Sequence, residues 1–309
     1  MTEVIAQALA LWGFNGAKFK LIAARENAVY KVKTGTQNFA LRLHRKGYRT
    51  DAELRSELQW MQAISSGGIK VPTPIPTQTG TLIEVIQGVQ IDVLSWITGT
   101  TLDEVLGGLH NRAILFEQLG QQMARLHVSS DAWTLPNDFT RCNWDRKGLL
   151  GDTPLWDCFW KNPSLSPAEQ SLFLTLREKA DDHLQRLEHD LDYGLIHADL
   201  VAANVMIDGT TMQMIDFDDG GFGYRLFDIA TALLKHRDAP DFAALQTALI
   251  QGYTSVRPID LSALDFFILL RATTYVGWNI TRMNEDGAAG RNARFIETTK
   301  RLATAYLKV

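Results

Sequence analysis

Three oxygen-bearing side chains, Asp199, Asn204 and Asp216, stand in one stretch of the chain in an order that suits phosphoryl transfer. The stretch reads G-L-I-H-A-D-L-V-A-A-N-V-M-I-D-G-T-T-M-Q-M-I-D-F-D-D, from Gly194 to Asp219. Moving a phosphoryl group from a nucleotide to a hydroxyl asks little covalent chemistry of a protein. It needs the nucleophile positioned and the phosphate charge neutralised by a divalent cation. A carboxylate such as Asp199 accepts the hydroxyl proton and aims the oxygen, while Asn204 and Asp216 offer hard oxygen ligands suited to Mg²⁺. A lone Asp ahead of a loop is commonly a cap or turn residue bonded to nearby backbone. Here apolar residues flank the set, Leu195-Ile196 before it and Val205-Met206-Ile207 within it, so the loop lies between short buried strands.

The spacing H-x-D-x-x-x-x-N from His197 to Asn204, followed by I-D-F-D at Ile215 to Asp218, resembles the catalytic and metal-binding loops of protein kinases. It is closer to the aminoglycoside phosphotransferase and choline kinase-like enzymes, which carry His-x-Asp and I-D-F-[DE]. Some similarity extends to the homoserine kinase type II and bacterial stress-response kinase branches, the latter at Leu270-Arg271-Ala272. The resemblance covers most of the chain. It implies an α+β, two-lobed protein kinase-like fold: a small antiparallel sheet in an N-terminal nucleotide-binding lobe (1–94), a hinge (95–98) and a mainly helical C-terminal lobe (99–309). ATP and Mg²⁺ are implied as cofactors, with Asp199 as catalytic base and Asn204 and Asp216 as metal ligands.

Further roles follow from the same resemblance. Arg42 stands mid-strand where a basic residue, usually lysine, reaches the α- and β-phosphates, and a guanidinium fork can bridge phosphate and carboxylate. Glu57 is its expected partner, with Glu53 on the same helix face as the second candidate. Ser95, Trp96 and Ile97 match the hinge whose backbone meets the adenine edge. Arg25-Glu26-Asn27 occupies the turn over the phosphates and contains no glycine. Asp228 matches an aspartate that braces the catalytic loop, His197 reads as structural, and Asp218 or Asp219 could help hold metal or acceptor.

The elements that must carry these residues are legible from periodicity. Val4, Ile5, Ala8, Leu9 and Trp12 recur at helical spacing. Alternation over Lys18 to Lys33 and Phe39 to Leu43 predicts antiparallel strands. A helix is expected over Asp51 to Ile64, and strands at Leu82 to Ile86 and Val89 to Leu94 complete a sheet of about five. The prolines of Val71 to Pro76 forbid helix. Thr101 or Asp103 can cap a helix, and Leu115 to His127 forms a long one ending at His127, a packed or capping residue. Asp131 to Pro163 is irregular, and its Trp133, Trp144, Trp156 and Trp160 serve either as acceptor cover or as core. Ser166 to Glu169 is a capping box. Asp218 to Arg225, glycine-rich, reads as an exposed mobile loop. From Asp241 onward the pattern is helical, and Tyr275, Trp278, Asn279 and Arg282 share a stripe that is core, or else a cleft face in which Arg282 would suit an acidic acceptor.

Composition sets the outer bounds. With 309 residues, 46% hydrophobic and 21% charged, the chain has the make-up of an ordered globular protein with room for two cores. A net charge of -4 argues against nucleic acid or an anionic membrane as main partner. Cys142 and Cys158 read as reduced thiols, the acidic start Met1-Thr2-Glu3 does not resemble a secretory signal, and a cytoplasmic protein is expected. The expected activity is transfer of the γ-phosphoryl group of ATP to a hydroxyl acceptor: a small metabolite such as an amino alcohol, homoserine or a sugar-like compound, or alternatively a protein Ser/Thr. A nucleotide-binding pseudokinase is the reading from another class, motivated by Arg42 and the glycine-free turn; metal-dependent hydrolysis is a third.

Overall fold

The computed structural model describes residues 1–24, 27–108 and 111–308. Arg25 and Glu26, on which the phosphate-turn expectation falls, lie outside the described residues. The elements run α1 (Thr2–Leu11), β1 (Lys18–Ala24), β2 (Ala28–Thr34), β3 (Gln37–Leu43), α2 (Asp51–Ser66), β4 (Ile83–Ile86), β5 (Val89–Ser95), β6 (Thr100–Thr101) and α3 (Leu102–Leu106). They continue with α4 (Ala113–Ala132), β7 (Asn143–Trp144), α5 (Arg146–Leu150), α6 (Pro167–Leu187), β8 (Tyr193–Ile196), β9 (Val205–Asp208), β10 (Thr211–Met214) and β11 (Gly221–Tyr224). Four helices close the chain: α7 (Arg225–Leu234), α8 (Phe242–Thr254), α9 (Leu264–Trp278) and α10 (Ala288–Leu307). The chain forms two compact units, one of Met1–Leu109, Val128–Arg141 and Ala202–Asp218, the other of His110–His127, Cys142–Val201 and Asp219–Val309.

In the first unit a five-stranded antiparallel sheet has the order β1-β2-β3-β5-β4. Gln87 (φ 51) and Gly88 (φ 77) connect β4 to β5 through a two-residue turn with both positions left-handed, which matches the twist of a tight hairpin. Val32, Leu41, Leu43, Ile86, Ile91 and Val93 face α1, whose Val4, Ile5, Ala8, Leu9 and Trp12 complete the core. α2 begins in a capping box between Thr50 and Glu53, so Glu53 is occupied at the helix start. A second, three-stranded sheet, β10-β9-β6, carries the stretch that holds Asn204 and Asp216.

In the second unit β11 pairs antiparallel with β8 and parallel with β7. Residues 221–224 are therefore strand, and Gly221, Gly223 and Tyr224 are buried, which corrects the expected exposed loop. The glycines serve close approach: a Cβ at Gly221 would run into the Cys142 carbonyl oxygen and one at Gly223 into the Ile196 side chain. Among the four tryptophans, Trp144, Trp156 and Trp160 are buried. α7 and α10 pack against α9, whose residues are almost all buried. α6 starts in the capping box of Ser166 and Glu169 with Pro167 at its first position. Among the described residues, no helix is long and apolar enough to cross a membrane.

Candidate active site

β9 and β10 form a hairpin turning at Gly209 (φ 59), with Val205 opposite Met214. The pairing runs one step past the strand ends, because the Ile215 amide donates to the Asn204 carbonyl at 2.9 Å. Asn204 and Asp216 thus flank the same open end of one hairpin. The backbone of Asp216 is left-handed (φ 66), an uncommon conformation for a side-chain-bearing residue and one that needs its surroundings to hold it. Phe217 supplies the anchor: it is fully buried and meets the Trp60 ring edge-on, centroids 5.2 Å apart.

Two arginines hold the backbone that follows. Arg141 donates through Nη2 to the carbonyl oxygens of Phe217 at 3.1 Å and Asp218 at 2.6 Å, and Arg49 donates to the Asp218 carbonyl at 3.1 Å. The other arm of Arg141 reaches the Glu53 carbonyl at 3.0 Å and Glu57 Oε2 at 3.5 Å. Glu57 also accepts from Arg42 Nη1 at 2.8 Å, so this carboxylate on α2 joins the strand cation to the D-F-D backbone.

Arg42 is buried and its fork is shared. Nε and Nη2 donate bidentately to Asp92, both at 2.8 Å, and His44 Nε2 meets Asp92 at 2.6 Å. Arg42 stands directly opposite Asp92 in the β3–β5 register, so the pair is set by strand alignment. Burial would raise the Asp92 and Glu57 carboxyls, but the positive charge of Arg42, joined by His44 at Asp92 and by Arg141 at Glu57, holds both below the ordinary range. Desolvation opposes the charge on Arg42, yet the two carboxylates raise its pKa well above the ordinary value, and it remains a cation. Ser95 ends β5, its hydroxyl accepting from the Thr73 amide at 2.8 Å, and Lys31 Nζ lies 4.4 Å from the Trp96 ring centre. Ile97 follows in irregular backbone.

Asp199 belongs to the second unit. The chain leaves β8 through His197 and enters Ala198 with φ 64, a bend that an alanine adopts at a cost of about 1–2 kcal/mol. Asp228, in the first turn of α7, offsets that cost: its Oδ2 accepts from the His197 amide at 2.9 Å and its Oδ1 from the Ala198 amide at 2.7 Å. Behind it lies His127, 3.1 Å from Asp228 Oδ2 and 2.8 Å from the Tyr253 hydroxyl. An ionised carboxylate only accepts, so Nε2 carries the proton and Nδ1 accepts from Tyr253. Complete burial, reinforced by Arg225, pushes the His127 pKa down to about 4, so the imidazole is neutral. α4 continues past His127 to Ala132, which makes this histidine an interior packing residue rather than a helix end.

The Asp199 carboxylate is met by Arg271 of α9, whose Nη2 donates to Oδ1 at 2.7 Å. Asp219 Oδ1 accepts from Trp156 Nε1 at 3.4 Å, and the Asp219 carbonyl accepts from Trp144 Nε1 at 2.8 Å. The tryptophan-rich stretch therefore contributes both core and polar contacts to this unit.

Motif reasoning alone did not find Asp92, His44, or the roles of Arg141 and Arg271. A signal was present for two of them. Asp92 is an acid in the apolar strand V-Q-I-D-V-L, and Arg271 is a cation within the apolar run Phe266 to Val276. A charge in such a place needs a buried partner.

Comparison with known proteins adds independent findings. A family model described as phosphotransferase enzyme family matches residues 18–267. A solved structure of a microcompartment-associated aminopropanol kinase is 30% identical with a TM-score of 0.85, covering 100% of this chain and 98% of that one. Amicoumacin kinase from Bacillus subtilis (strain 168) is 27% identical over 238 residues, 75% of this chain and 67% of the relative. Homoserine kinase from Azorhizobium caulinodans (strain ATCC 43989) is 26% identical over 263 residues, 84% of this chain and 77% of the relative.

Proposed function

The chain belongs to the phosphotransferase enzyme family and acts as a kinase on a hydroxyl group, and from that premise we propose an ATP- and Mg²⁺-dependent enzyme that phosphorylates a small amino alcohol in the cytoplasm. The observation that carries this reading is the hairpin end at which Asn204 and Asp216 stand together, with the backbone beyond Asp216 held by Arg141. An amide oxygen and a carboxylate fit Mg²⁺, which is bound by few protein oxygens and takes its remaining ligands from phosphate and water. Bound there, Mg²⁺ would supply neutralisation of charge on the β- and γ-phosphates.

The protein's own groups do the rest. Asp199, held by its backbone neighbours and by Arg271, accepts the proton of the acceptor hydroxyl. Arg42, kept charged and aligned by Asp92 and Glu57, orients the α- and β-phosphates. Ser95, Trp96 and Ile97 are assigned to the adenine edge. In this reading residues 1–94 form the nucleotide lobe, 95–98 the hinge and 99–309 the lobe with the acceptor.

Two relatives are named for acceptors that combine an amine with a hydroxyl on a short carbon chain, aminopropanol and homoserine. That favours a small amino alcohol over a protein Ser/Thr. The test is ATP consumption by the purified protein with aminopropanols, ethanolamine, choline, homoserine and a generic protein acceptor, with Mg²⁺ and with chelator. Turnover with a short amino alcohol that needs Mg²⁺ and vanishes in Asp199→Ala is the expected result. Activity that survives Asp199→Ala, or that appears with the protein acceptor alone, rejects the proposal.

A further inference from the structure

The carboxylate of Asp199 is gripped from a helix far along the chain. Arg271 on α9 is fully buried, whereas the Asp199 side chain is 25% exposed, so the pair joins the interior of the unit to an accessible oxygen. The guanidinium has further contacts that fix its plane. Nη2 also donates to the Tyr275 hydroxyl at 3.1 Å and Nη1 to Thr274 Oγ1 at 3.3 Å. Its carbon lies 4.3 Å from the Tyr275 ring centre, 4.6 Å from Trp156 and 5.3 Å from Phe227. A planar cation stacked among three aromatic rings has few orientations open to it.

α9 is itself anchored beside this cage. Gly277, one helical turn beyond Thr273, lies so near the Trp156 and Asp157 carbonyls that a Cβ would come within 2.6 Å of the Asp157 oxygen. α7 acts on the same loop from its other side, since Asp228 takes the His197 and Ala198 amides while its neighbour Phe227 walls the guanidinium. The backbone of the loop is thus set by one helix and the side chain of Asp199 by another. Arg271 thus reaches outward from the interior of the unit to a partly exposed carboxylate.

We propose that Arg271 is the positioning residue for the base, holding the Asp199 carboxylate in the single orientation from which it accepts the acceptor proton. The inference rests on the assignment of Asp199 as base. Its consequence is a loss in kcat without a matching change in nucleotide KM, because the nucleotide-side residues Arg42, Asn204 and Asp216 are untouched by the substitution.

The experiment uses Arg271→Lys and Arg271→Met, each alone and combined with Asp199→Asn, with thermal unfolding run on every variant. Arg271→Met should lower kcat about 10²-fold, the scale of a slightly misplaced catalytic group, with the KM for ATP within about threefold of the parent. Arg271→Lys, which restores charge without the fork, should fall between the two. In the Asp199→Asn background the Met substitution should cost less than about threefold more, since its effect runs through the carboxylate. Arg271 variants within threefold of the parent kcat, or a Met loss that persists in full in the Asp199→Asn background, overturn the proposal. If Arg271→Met does not fold, Arg271→Lys decides by the same thresholds. Asp199→Asn alone reports on the base assignment, so an active Asp199→Asn protein identifies that premise as the failure.

Discussion

Acidification should loosen this protein through one buried imidazole, and the size of the effect can be worked out. His127 is completely buried against Asp228, Tyr253, Arg225 and Arg257, with a pKa near 4 in place of the ordinary 6.5. Between those values the unfolded chain binds a proton that the folded protein refuses. Unfolding is then favoured as pH falls, and the stability tied to this group, fully present above about pH 7, declines toward pH 4. At about 1.4 kcal/mol per pKa unit the whole gap is worth about 3 kcal/mol, of which about 2 kcal/mol has gone by pH 5. Asp228, Glu57 and Asp92, whose carboxyls sit below their ordinary values, add to this loss only at lower pH: their contribution is present above about pH 4 and lost as pH falls further.

The comparison protein is His127→Gln, which retains an N–H for Asp228 and cannot be protonated. Urea unfolding at pH 7.5, 6 and 5 should show the parent losing about 2 kcal/mol more than the variant across that interval, every other histidine cancelling in the difference. The variant should begin about 1 kcal/mol less stable at pH 7.5, from imperfect packing and the altered hydrogen bond to Tyr253. Parallel stability curves for the two proteins would refute a neutral buried His127. Because Asp228 fastens the His197 and Ala198 amides, kcat should decline in the same pH range in the parent before global unfolding is reached.

Arg141→Met should raise the Mg²⁺ concentration for half-maximal activity about tenfold, because the Phe217 and Asp218 carbonyls lose the Arg141 donor, with Arg49 still donating to Asp218; an unchanged metal dependence in a folded variant counts against the link between α2 and the D-F-D backbone. Asp216→Asn should abolish turnover at physiological Mg²⁺ with little effect on thermal stability, since the side chain is exposed, and activity within tenfold of the parent would remove Asp216 from the metal assignment. Gly277→Ala should cost about 1–3 kcal/mol in urea unfolding, as the added methyl pushes against the Trp156 and Asp157 carbonyls, and a neutral substitution would show that this segment yields freely.

What could be read from the chain before any coordinates was local in origin. Period-two alternation placed β2, β3 and β5, helical spacing placed α1 and α2, and the capping box at Ser166 marked the start of α6 to the residue, whereas the equivalent box at Thr50 emerged only in the structure. The H-x-D-x-x-x-x-N and I-D-F-D patterns pointed to Asp199, Asn204 and Asp216 because phosphoryl transfer demands oxygen donors at short, loop-sized separations. Arg42 and Glu57 were paired in advance, and they meet at 2.8 Å. The glycines of 220–223 misled, since glycine permits both a flexible loop and the tightest strand contact, and composition cannot tell which neighbour comes near.

The partners that hold these groups come from distant segments. Asp92 reaches Arg42 through the strand register, Arg141 reaches the Phe217 and Asp218 carbonyls, and Arg271 reaches Asp199 from a helix some seventy residues on. Such pairings depend on which buried charges have no water to solvate them, and each finds its counter-ion wherever the packed elements bring one. A chain carries the types of its reactive groups in its letters. Their orientation is a property of the cavity that closes around them, because only there does a carboxylate lose the alternatives that solvent would offer.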